Sequence, residues 1–458
     1  MGLDWDEGPE VGGEFGPYFQ TQRTQTYADA LERLRERDAV YACFCTKEEL
    51  DEKRAIAEKT EGGYAGYDRT CRDLPRDEVE ARISAGEPHV WRLKVPLDHG
   101  PIEFDDAVYG HMSFPAEVMD DMILVRTGGS PTYNFAVVCD DANMGITHVI
   151  RYEALGFEVP TFAHLSMILG ADGKKLSKRH GATNVEEYRD RGYLSDSLVN
   201  FLALLGWSLD GETTIIDRET LCREFSLDRV TKKDAVFDET KLDWMNGVYI
   251  REMGAHAWAD AALPWLVDAA AFASKAGDEA ARIVATPNPS DPNAPQPDPI
   301  VITDVDRAAV RDAIDDLAHD GEPSTIERMY PLVAERLARL DEIPAKLEFL
   351  FWGPQVRLDE KSVKKVLQKE SARPAEALDT CRSVLADESI AWEAAALETA
   401  CRAAGDKLEM KVKNLLQPLR VAVCGNMVSP PLFESIELMK REDVLARIDA
   451  TRALVYGA

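Results

Sequence analysis

The chain has 458 residues, of which 45% are hydrophobic and 29% charged, a composition typical of a globular protein with roughly two to four domains. Its net charge of −29 argues against a general affinity for nucleic acid, so any such contact requires a local basic surface. The absence of a membrane-length apolar run and of a secretory signal predicts a cytoplasmic protein that does not contact membranes.

The hydrophobic pattern predicts an α/β arrangement for roughly the first 185 residues and helices from there onwards. The predicted elements of the first part are, in chain order, a helix over 27–38, an apolar run over 40–45, a charged helix over 47–59, a strand over 89–96, a hairpin over 102–114, a strand over 121–126, a helix over 135–144 and buried strands over 147–151 and 164–169. A proline-rich stretch over 286–299 is predicted to be a surface loop.

The most specific motif is a basic loop over residues 174–181, which follows the last of these predicted strands. Gly173 and Gly181 flank its cationic side chains, so the backbone can approach a polyphosphate closely. The cations can then neutralise charge that develops during phosphoryl or nucleotidyl transfer. On charge alone, a solvated basic turn is an equally good interpretation.

A second motif combines a hydroxyl, on Tyr133, with a guanidinium, on Arg151 at the end of a predicted strand. The planar fork of an arginine suits bidentate binding of a carboxylate. Without further information, both residues could equally be ordinary surface or ion-pair residues.

A third motif consists of Cys43 and Cys45 on one short segment and Cys71 after a loop. Three thiolates at this spacing could hold zinc, with either Asp73 or Tyr67 as the fourth ligand of a tetrahedral site. Buried free cysteines are the alternative, and the eight scattered cysteines of the chain argue against a disulfide framework.

These residues carry a resemblance to a known family. Residues 175–179 (KLSKR) resemble the mobile signature loop of class I aminoacyl-tRNA synthetases, in the form used by bacterial-type glutamyl-tRNA synthetases. The similarity extends over nearly the whole chain, in the flanking segments 164–173 and 181–183, in 2–23, 131–151, 204–208 and 241–247, and in 415–420 and 429–434.

The resemblance implies a division into four regions. Residues 1–40 and 131–185 correspond to an incomplete Rossmann-type α/β catalytic domain, and 41–130 to an α+β connective, acceptor-binding insert with the possible zinc site. Residues 186–298 correspond to a helical stem-contact region with the proline-rich loop, and 299–458 to an all-α anticodon-binding domain.

It also implies roles for single residues. Lys175 and Lys178 are expected to be catalytic and to contact the phosphates of ATP, and the ATP-binding set is expected to comprise Lys175, Leu176, Ser177, Lys178 and Arg179. Glutamate is expected to bind Tyr133, Asn134 and Arg151, with the arginine holding its side-chain carboxylate. The zinc ligands are expected to be Cys43, Cys45, Cys71 and Asp73.

The implied reaction is ATP-dependent attachment of L-glutamate to tRNA-Glu through a glutamyl-adenylate. The expected cofactors are Mg²⁺, which accompanies ATP, and a structural Zn²⁺, and the protein is expected to be a monomer. Five lysines are predicted to contact the backbone of the anticodon arm, as charges only, although solvated helix faces are an equally good interpretation of each: Lys361, Lys364, Lys365, Lys411 and Lys413. A glutaminyl-type enzyme would show alternating strand patterns after the signature loop, and these are not found.

The sequence departs from the family pattern in two places. The family's loop of the PSPTGxLHIG type has no counterpart in this sequence, and Arg151 is followed directly by Tyr152 where family members continue with an acidic, histidine-containing stretch and a helix. Since these segments contact ATP and the acceptor end in the family, aminoacylation is expected to be impaired. A non-catalytic tRNA-binding paralogue and a truncated fragment of the synthetase are the alternatives.

Overall fold

The structure of the chain is a computed structural model that describes residues 4–57, 66–146, 161–177, 184–276, 281–284 and 301–457. The chain divides into two units. The N-terminal unit comprises residues 2–175 and 203–236, and the helical unit comprises residues 176–202 and 237–458. Within the described ranges, no helix combines the length and the apolar character needed to cross a bilayer.

Eighteen α-helices and nine short strands are found in the described parts of the chain. The strands are β1 Val40–Cys43, β2 Val90–Leu93, β3 Ile102–Asp106, β4 Gly110–Phe114, β5 Ile123–Val125, β6 Ile168–Leu169, β7 Ala235–Val236, β8 Ala281–Val284 and β9 Val356–Asp359. The helices are α1 Thr24–Glu36, α2 Lys47–Ala57, α3 Arg76–Ser84, α4 Tyr133–Asn143, α5 Val185–Asp190, α6 Ser195–Ala203, α7 Arg218–Glu224, α8 Glu239–Glu252, α9 Gly254–Ala276, α10 Asp304–Ala318, α11 Thr325–Val333, α12 Ile343–Leu347, α13 Glu360–Ser362, α14 Pro374–Leu385, α15 Ala394–Lys407, α16 Val412–Cys424, α17 Leu432–Glu437 and α18 Arg441–Tyr456.

An antiparallel sheet, in the order β1, β2, β5, lies at the core of the N-terminal unit. Tyr27, Ala30 and Leu34 of α1 recur at helical spacing, are all buried, and pack with residues of β1, β5 and α4 in one apolar cluster. The predicted catalytic domain and the predicted insert therefore both contribute to this core.

A hairpin of β3 and β4 matches the prediction for residues 102–114. Buried Asp106, at the end of β3, accepts hydrogen bonds from the amide and the Nδ1 of His164, at 3.0 and 2.6 Å. The prediction of a strand over 164–169 is correct only for β6. The segment before it is irregular: Met167 N donates to the Asp234 carboxylate at 3.0 Å, while the Met167 carbonyl accepts from Ala235 N of β7 at 3.2 Å.

The helical unit contains two apolar cores. One surrounds α9, with Trp258 and Leu266 fully buried, and the other lies between β9, α14, α16 and α18. The prediction of helices alone after residue 185 is wrong at β7, which pairs with β6, and at β8 and β9, which pair in parallel with Ala281 opposite Val356. Val356 and Leu358 are buried and alternate with partly exposed neighbours, and four residues are too few for this period to stand out in a sequence.

The segment between α5 and α6 bonds to residues much later in the chain. The carbonyl of Gly192 accepts a hydrogen bond from Leu340 N at 3.1 Å, and a Cβ at Gly192 would lie 2.7 Å from that nitrogen. The Tyr193 hydroxyl donates to Asp243 at 2.5 Å, and Leu194 N donates to Asn246 Oδ1 at 2.8 Å. Residues 176–202 of the helical unit are therefore held in place by hydrogen bonds to residues 237–458 of the same unit.

Candidate functional site

A tight turn presents the first lysines of the basic loop. After β6, Gly170 N donates to the carbonyl of Lys174 at 2.8 Å, and Gly173 N donates back to Gly170 at 3.0 Å. Gly173 has a φ of 71°, which favours glycine, and Lys175 forms a β-bridge with Leu169. As a result, Lys174 and Lys175 are both exposed at the end of a short, fixed hairpin.

The rest of the predicted ATP-binding set is only partly described. Leu176 and Ser177 are half-buried, and Lys178 and Arg179 lie outside the described residues. The structure thus gives the geometry of Lys175 and of the turn that presents it.

The predicted glutamate pocket is also described in part. Tyr133 is the first residue of α4, its side chain is 72% exposed, and Asn134 is exposed beside it. Thr132 fixes the start of α4, because its amide donates to Leu124 O at 2.7 Å and its hydroxyl donates to Ile123 O at 3.0 Å. Arg151 lies outside the described residues.

The cysteine motif folds into one cluster. The three sulfur atoms of Cys43, Cys45 and Cys71 lie within 4.8 Å of one another, with Cys45 Sγ 3.6 Å from Cys71 Sγ. The Tyr67 hydroxyl joins them, at 3.2 Å from Cys43 Sγ and 3.7 Å from Cys45 Sγ. Asp73 is exposed and is not part of this group of close ligand atoms.

These distances fit a tetrahedral zinc ion. Zinc bonds of about 2.3 Å to sulfur and 2.0 Å to oxygen place tetrahedral sulfur atoms about 3.8 Å apart and sulfur and oxygen about 3.5 Å apart. The hydrogen bond from Cys43 lowers the pKa of the Cys71 thiol, whereas the bond to Cys71, followed by burial, raises the pKa of Cys43. The three thiols and the Tyr67 hydroxyl are therefore close enough to share one cation.

A buried carboxylate, Asp121, supports the cysteine cluster. It accepts hydrogen bonds from the Tyr41 hydroxyl and from Arg72 Nη1, both at 2.8 Å, and Arg72 directly follows Cys71 in the chain. The guanidinium of Arg92 lies 3.8 Å from the centre of the Tyr67 ring and donates to the Asp121 carbonyl. Sequence patterns did not single out this network, whose members are far apart in the chain.

The segment before α1 is fixed to α4 by a second buried network. Arg23 Nε lies 2.7 Å from Asp140 Oδ1, and the Tyr27 hydroxyl donates to the same carboxylate at 2.9 Å. Arg23 also donates to the Pro17 carbonyl at 2.8 Å. Burial, followed by the bond to Asp140, raises the pKa of Tyr27, so this tyrosine stays a neutral donor.

The helical unit contains a small cavity of about 110 Å³, called the C-terminal cavity below. Its wall combines aliphatic, aromatic, cationic and acidic side chains with one exposed loop. The lining residues are Val333, Arg336, Ala345, Lys346, Glu348, Phe349, Trp352, Cys424, Asn426, Val428, Ser429 and Pro430.

Two arginines fix the loop at the mouth of the C-terminal cavity. Arg336 Nη1 donates to Ser429 O at 2.9 Å, and Arg420 Nη1 donates to Pro430 O at 2.6 Å. Burial lowers the pKa of Arg420. Gly425 sits against Trp352 and the Arg357 carbonyl with a φ of 82°, and a Cβ there would lie 2.2 Å from that oxygen. Such contacts define a rigid concave site.

The predicted lysine contacts lie elsewhere in the helical unit. All five side chains are exposed, and none of them lines the C-terminal cavity: Lys361, Lys364, Lys365, Lys411 and Lys413. They stay predicted backbone contacts, and the cavity is the feature that sequence reasoning missed.

Comparison with known families matches both parts of the chain. Residues 1–244 match the family described as tRNA synthetases class I (E and Q), catalytic domain, and residues 306–452 match the anticodon binding domain. The fold class predicted from the sequence is confirmed, namely a Rossmann-like class I catalytic domain followed by a helical anticodon-binding domain. Together they define a class I aminoacyl-tRNA synthetase.

Individual relatives narrow this class. A glutamate–tRNA ligase of Moorella thermoacetica is 38% identical over 464 residues, which cover 98% of this chain and 85% of the relative. A second, from Natranaerobius thermophilus, is 36% identical over 471 residues, covering 100% and 87%. The crystal structure of a glutamate tRNA ligase from Elizabethkingia meningosepticum, in complex with its amino acid, superimposes with a TM-score of 0.72 at 28% identity, covering 97% of this chain and 85% of that one.

The chain belongs to the glutamate–tRNA ligase family. The predicted family and ligase class are thereby confirmed. The alignment with the Moorella ligase extends over nearly the whole chain and over 85% of that relative.

Proposed function

We propose that the chain attaches L-glutamate to tRNA-Glu in two steps, of which the first consumes ATP. The observation that carries the proposal is the 38% identity to a glutamate–tRNA ligase over 98% of the chain. In the first step a carboxylate oxygen of glutamate attacks the α-phosphorus of ATP, and pyrophosphate leaves. In the second, a hydroxyl of the tRNA 3′ end attacks the activated carbonyl, AMP leaves and the hydroxyl proton is released.

The basic loop is proposed to hold the ATP phosphates. Lys175 is exposed on a turn whose backbone bonds and positive-φ glycine fix its place, so it is presented to a ligand at little entropic cost. Leu176, Ser177, Lys178 and Arg179 follow it directly in the chain. Cations at these positions would stabilise the charge of departing pyrophosphate, and Mg²⁺ would neutralise the phosphates further.

The start of α4 is proposed to bind glutamate. Tyr133 is a largely exposed aromatic residue on a helix whose first turn is bonded to β5, so its hydroxyl is held on a rigid element. Asn134 lies next to it, and Arg151 is proposed to complete the pocket as the partner of the substrate's side-chain carboxylate.

A structural zinc ion is proposed to bind Cys43, Cys45, Cys71 and Tyr67. The fit of the sulfur and oxygen positions to a tetrahedron supports this set, in which Tyr67 replaces the predicted ligand Asp73. When bound, zinc would supply a cross-link between β1 and the loop before α3. All four ligands belong to the chain itself, so the site would be closed and without a catalytic position.

The C-terminal cavity is proposed to bind the anticodon. It lies within the matched anticodon-binding domain, and Arg336, Trp352 and the fixed loop at Ser429 and Pro430 give it cationic, aromatic and backbone groups. Unstacked bases of single-stranded RNA are recognised in such cavities by stacking and by hydrogen bonds to their edges. A localised site of this kind is compatible with the overall charge of −29.

The cellular setting is proposed to be the cytoplasm, where the protein acts as a monomer. All eight cysteines are free thiols, which suits a reducing compartment, and a synthetase works where tRNA and ATP are present.

ATP–pyrophosphate exchange with glutamate tests the proposed function. The exchange is measured with and without tRNA-Glu, for the chain and for Lys178→Ala. Glutamate-dependent exchange that Lys178→Ala abolishes is expected. Exchange at the level of the enzyme-free control, together with tight tRNA binding, would instead support a non-catalytic tRNA-binding protein.

A further inference from the structure

One acidic side chain lines the C-terminal cavity, on the short 3-10 helix Glu348–Phe351 that follows α12. Glu348 is partly buried between the apolar residues Leu347 and Phe349, which are both buried. Every other charged side chain in the cavity wall is cationic, namely Arg336 and Lys346. A single carboxyl beside these two cationic side chains calls for an explanation.

The Glu348 carboxyl has no hydrogen bond and no ion pair within the described parts of the chain, whereas the two cationic side chains of the cavity wall both have partners. Lys346 pairs with Glu342 at 3.2 Å, and Arg336 donates to the Ser429 carbonyl. Burial raises the pKa of Glu348 to about 7, and the charge of Arg357 opposes this shift only in part. Of the remaining titratable groups, only the Cys424 thiol lines the cavity. An unpaired, partly buried carboxyl costs free energy, which a ligand with an N–H group can recover.

We propose that Glu348 reads the edge of one anticodon base by accepting a hydrogen bond from its amino or ring N–H group. The inference rests on the proposed binding of the anticodon by this cavity. A base fits better than a phosphate, because a carboxylate repels phosphate oxygens. The two cations of the wall would bind a phosphate without any carboxylate. A cavity of about 110 Å³ beside the Trp352 ring is suited to one planar base and not to a longer segment of RNA.

A base-reading residue and a residue that acts only through charge or folding have different signatures. Loss of a base-edge contact relaxes discrimination at one position, whereas loss of a backbone contact weakens binding of all sequences alike. The test is therefore the affinity of the full chain for tRNA-Glu transcripts that carry each of the four bases at each anticodon position. The proteins compared are the unaltered chain, Glu348→Ala, Glu348→Gln and the matched control Lys346→Ala.

Glu348→Ala is expected to reduce the preference for the cognate base at one anticodon position by about tenfold. Lys346→Ala is expected to weaken binding of all transcripts by a common factor. A common factor, or no change, for Glu348→Ala would overturn the inference. Equal affinity of the unaltered chain for all transcripts would overturn the proposed anticodon site itself. Failure of the anticodon site can therefore be distinguished from failure of the inference about Glu348.

The pH dependence provides a second readout that does not depend on whether the alanine variant folds well. A neutral carboxyl donates as well as accepts, so the base preference of the unaltered chain is expected to differ between pH 6 and pH 8, the range around the pKa of about 7. Glu348→Gln is neutral at both values, and its preference should be constant. A preference of the unaltered chain that is constant over this range would count against a base contact by Glu348.

Discussion

Arg23 and Asp140 form a buried ion pair, 2.7 Å from Nε to Oδ1, which joins the segment before α1 to α4. Removing one partner of such a pair leaves the other charge buried without compensation. Asp140→Ala is therefore expected to lower the free energy of unfolding by about 3 kcal/mol. The measurement is urea denaturation followed by circular dichroism.

The exposed pair of Arg35 and Glu32, 2.7 Å apart on α1, provides the control for this comparison. Because solvent screens an exposed pair, Glu32→Ala is expected to change the same quantity by less than about 1 kcal/mol. Similar losses of unfolding free energy for Asp140→Ala and Glu32→Ala would show that burial does not make the pair of Arg23 and Asp140 more important for stability than an exposed pair.

We expect the cysteine cluster to bind a zinc ion. Freshly purified, reduced protein is expected to contain about one equivalent of zinc, and Cys43→Ser is expected to lose it, because a closed site needs all its ligands. Tyr67→Phe should weaken the site, whereas Asp73→Asn should leave the zinc content unchanged. Elemental analysis of the four proteins checks this. Zinc loss in Asp73→Asn with retention in Tyr67→Phe would restore the ligand set expected from the sequence.

The turn after β6 predicts different roles for two adjacent lysines. Lys175→Ala is expected to reduce the rate of ATP–pyrophosphate exchange about 100-fold, the usual effect of losing one charged transition-state contact. Lys174→Ala, equally exposed one residue earlier, is expected to have a much smaller effect. Equal effects would indicate that the loop acts through its total charge and not through a placed side chain.

Burial of Glu348 predicts a pH dependence of stability that requires no tRNA. Its pKa in the folded chain is about 7, above the ordinary value of 4.5 for a glutamate, so between these values the folded state binds more protons than the unfolded state. The free energy of unfolding should therefore fall as the pH rises through this window. Glu348→Gln should remove this loss and be more stable than the unaltered chain at pH 8 by about 1 to 3 kcal/mol, with little difference at pH 4. Denaturation curves at pH 4, 6 and 8 provide the measurement.

Local patterns predicted those parts of the fold that depend on local sequence. Helical spacing indicated α1, and two short runs separated by Gly110 indicated the hairpin of β3 and β4. The C-x-C spacing and the later Cys71 indicated a cluster that the structure assembles. Its fourth member was left open between Tyr67 and Asp73, because the direction of a side chain after a loop cannot be read from spacing.

Contacts between distant residues could not be predicted in this way. Arg23 and Asp140 are 117 residues apart, and nothing near either residue indicates its partner. The C-terminal cavity likewise combines residues from α11 to the loop after α16. Its unpaired carboxyl is a property of the packed structure, since the sequence around Glu348 reads as an ordinary charged position in a helical segment.

The interleaving of the two units also sets an order for folding during synthesis. The segment around Gly192 leaves the ribosome early, yet its partner Leu340 follows Val236, the last residue of the N-terminal unit, by about 100 residues. Leu340 follows Gly192 by 148 residues, so at a translation rate of about 5 to 20 residues per second roughly 7 to 30 s pass before the partner of this segment is synthesised. During this interval the buried face of α6, including Leu198 and Phe201, is open to chaperones and to aggregation. Codons that slow translation between residues 237 and 340 are thus expected to lower the yield of soluble protein.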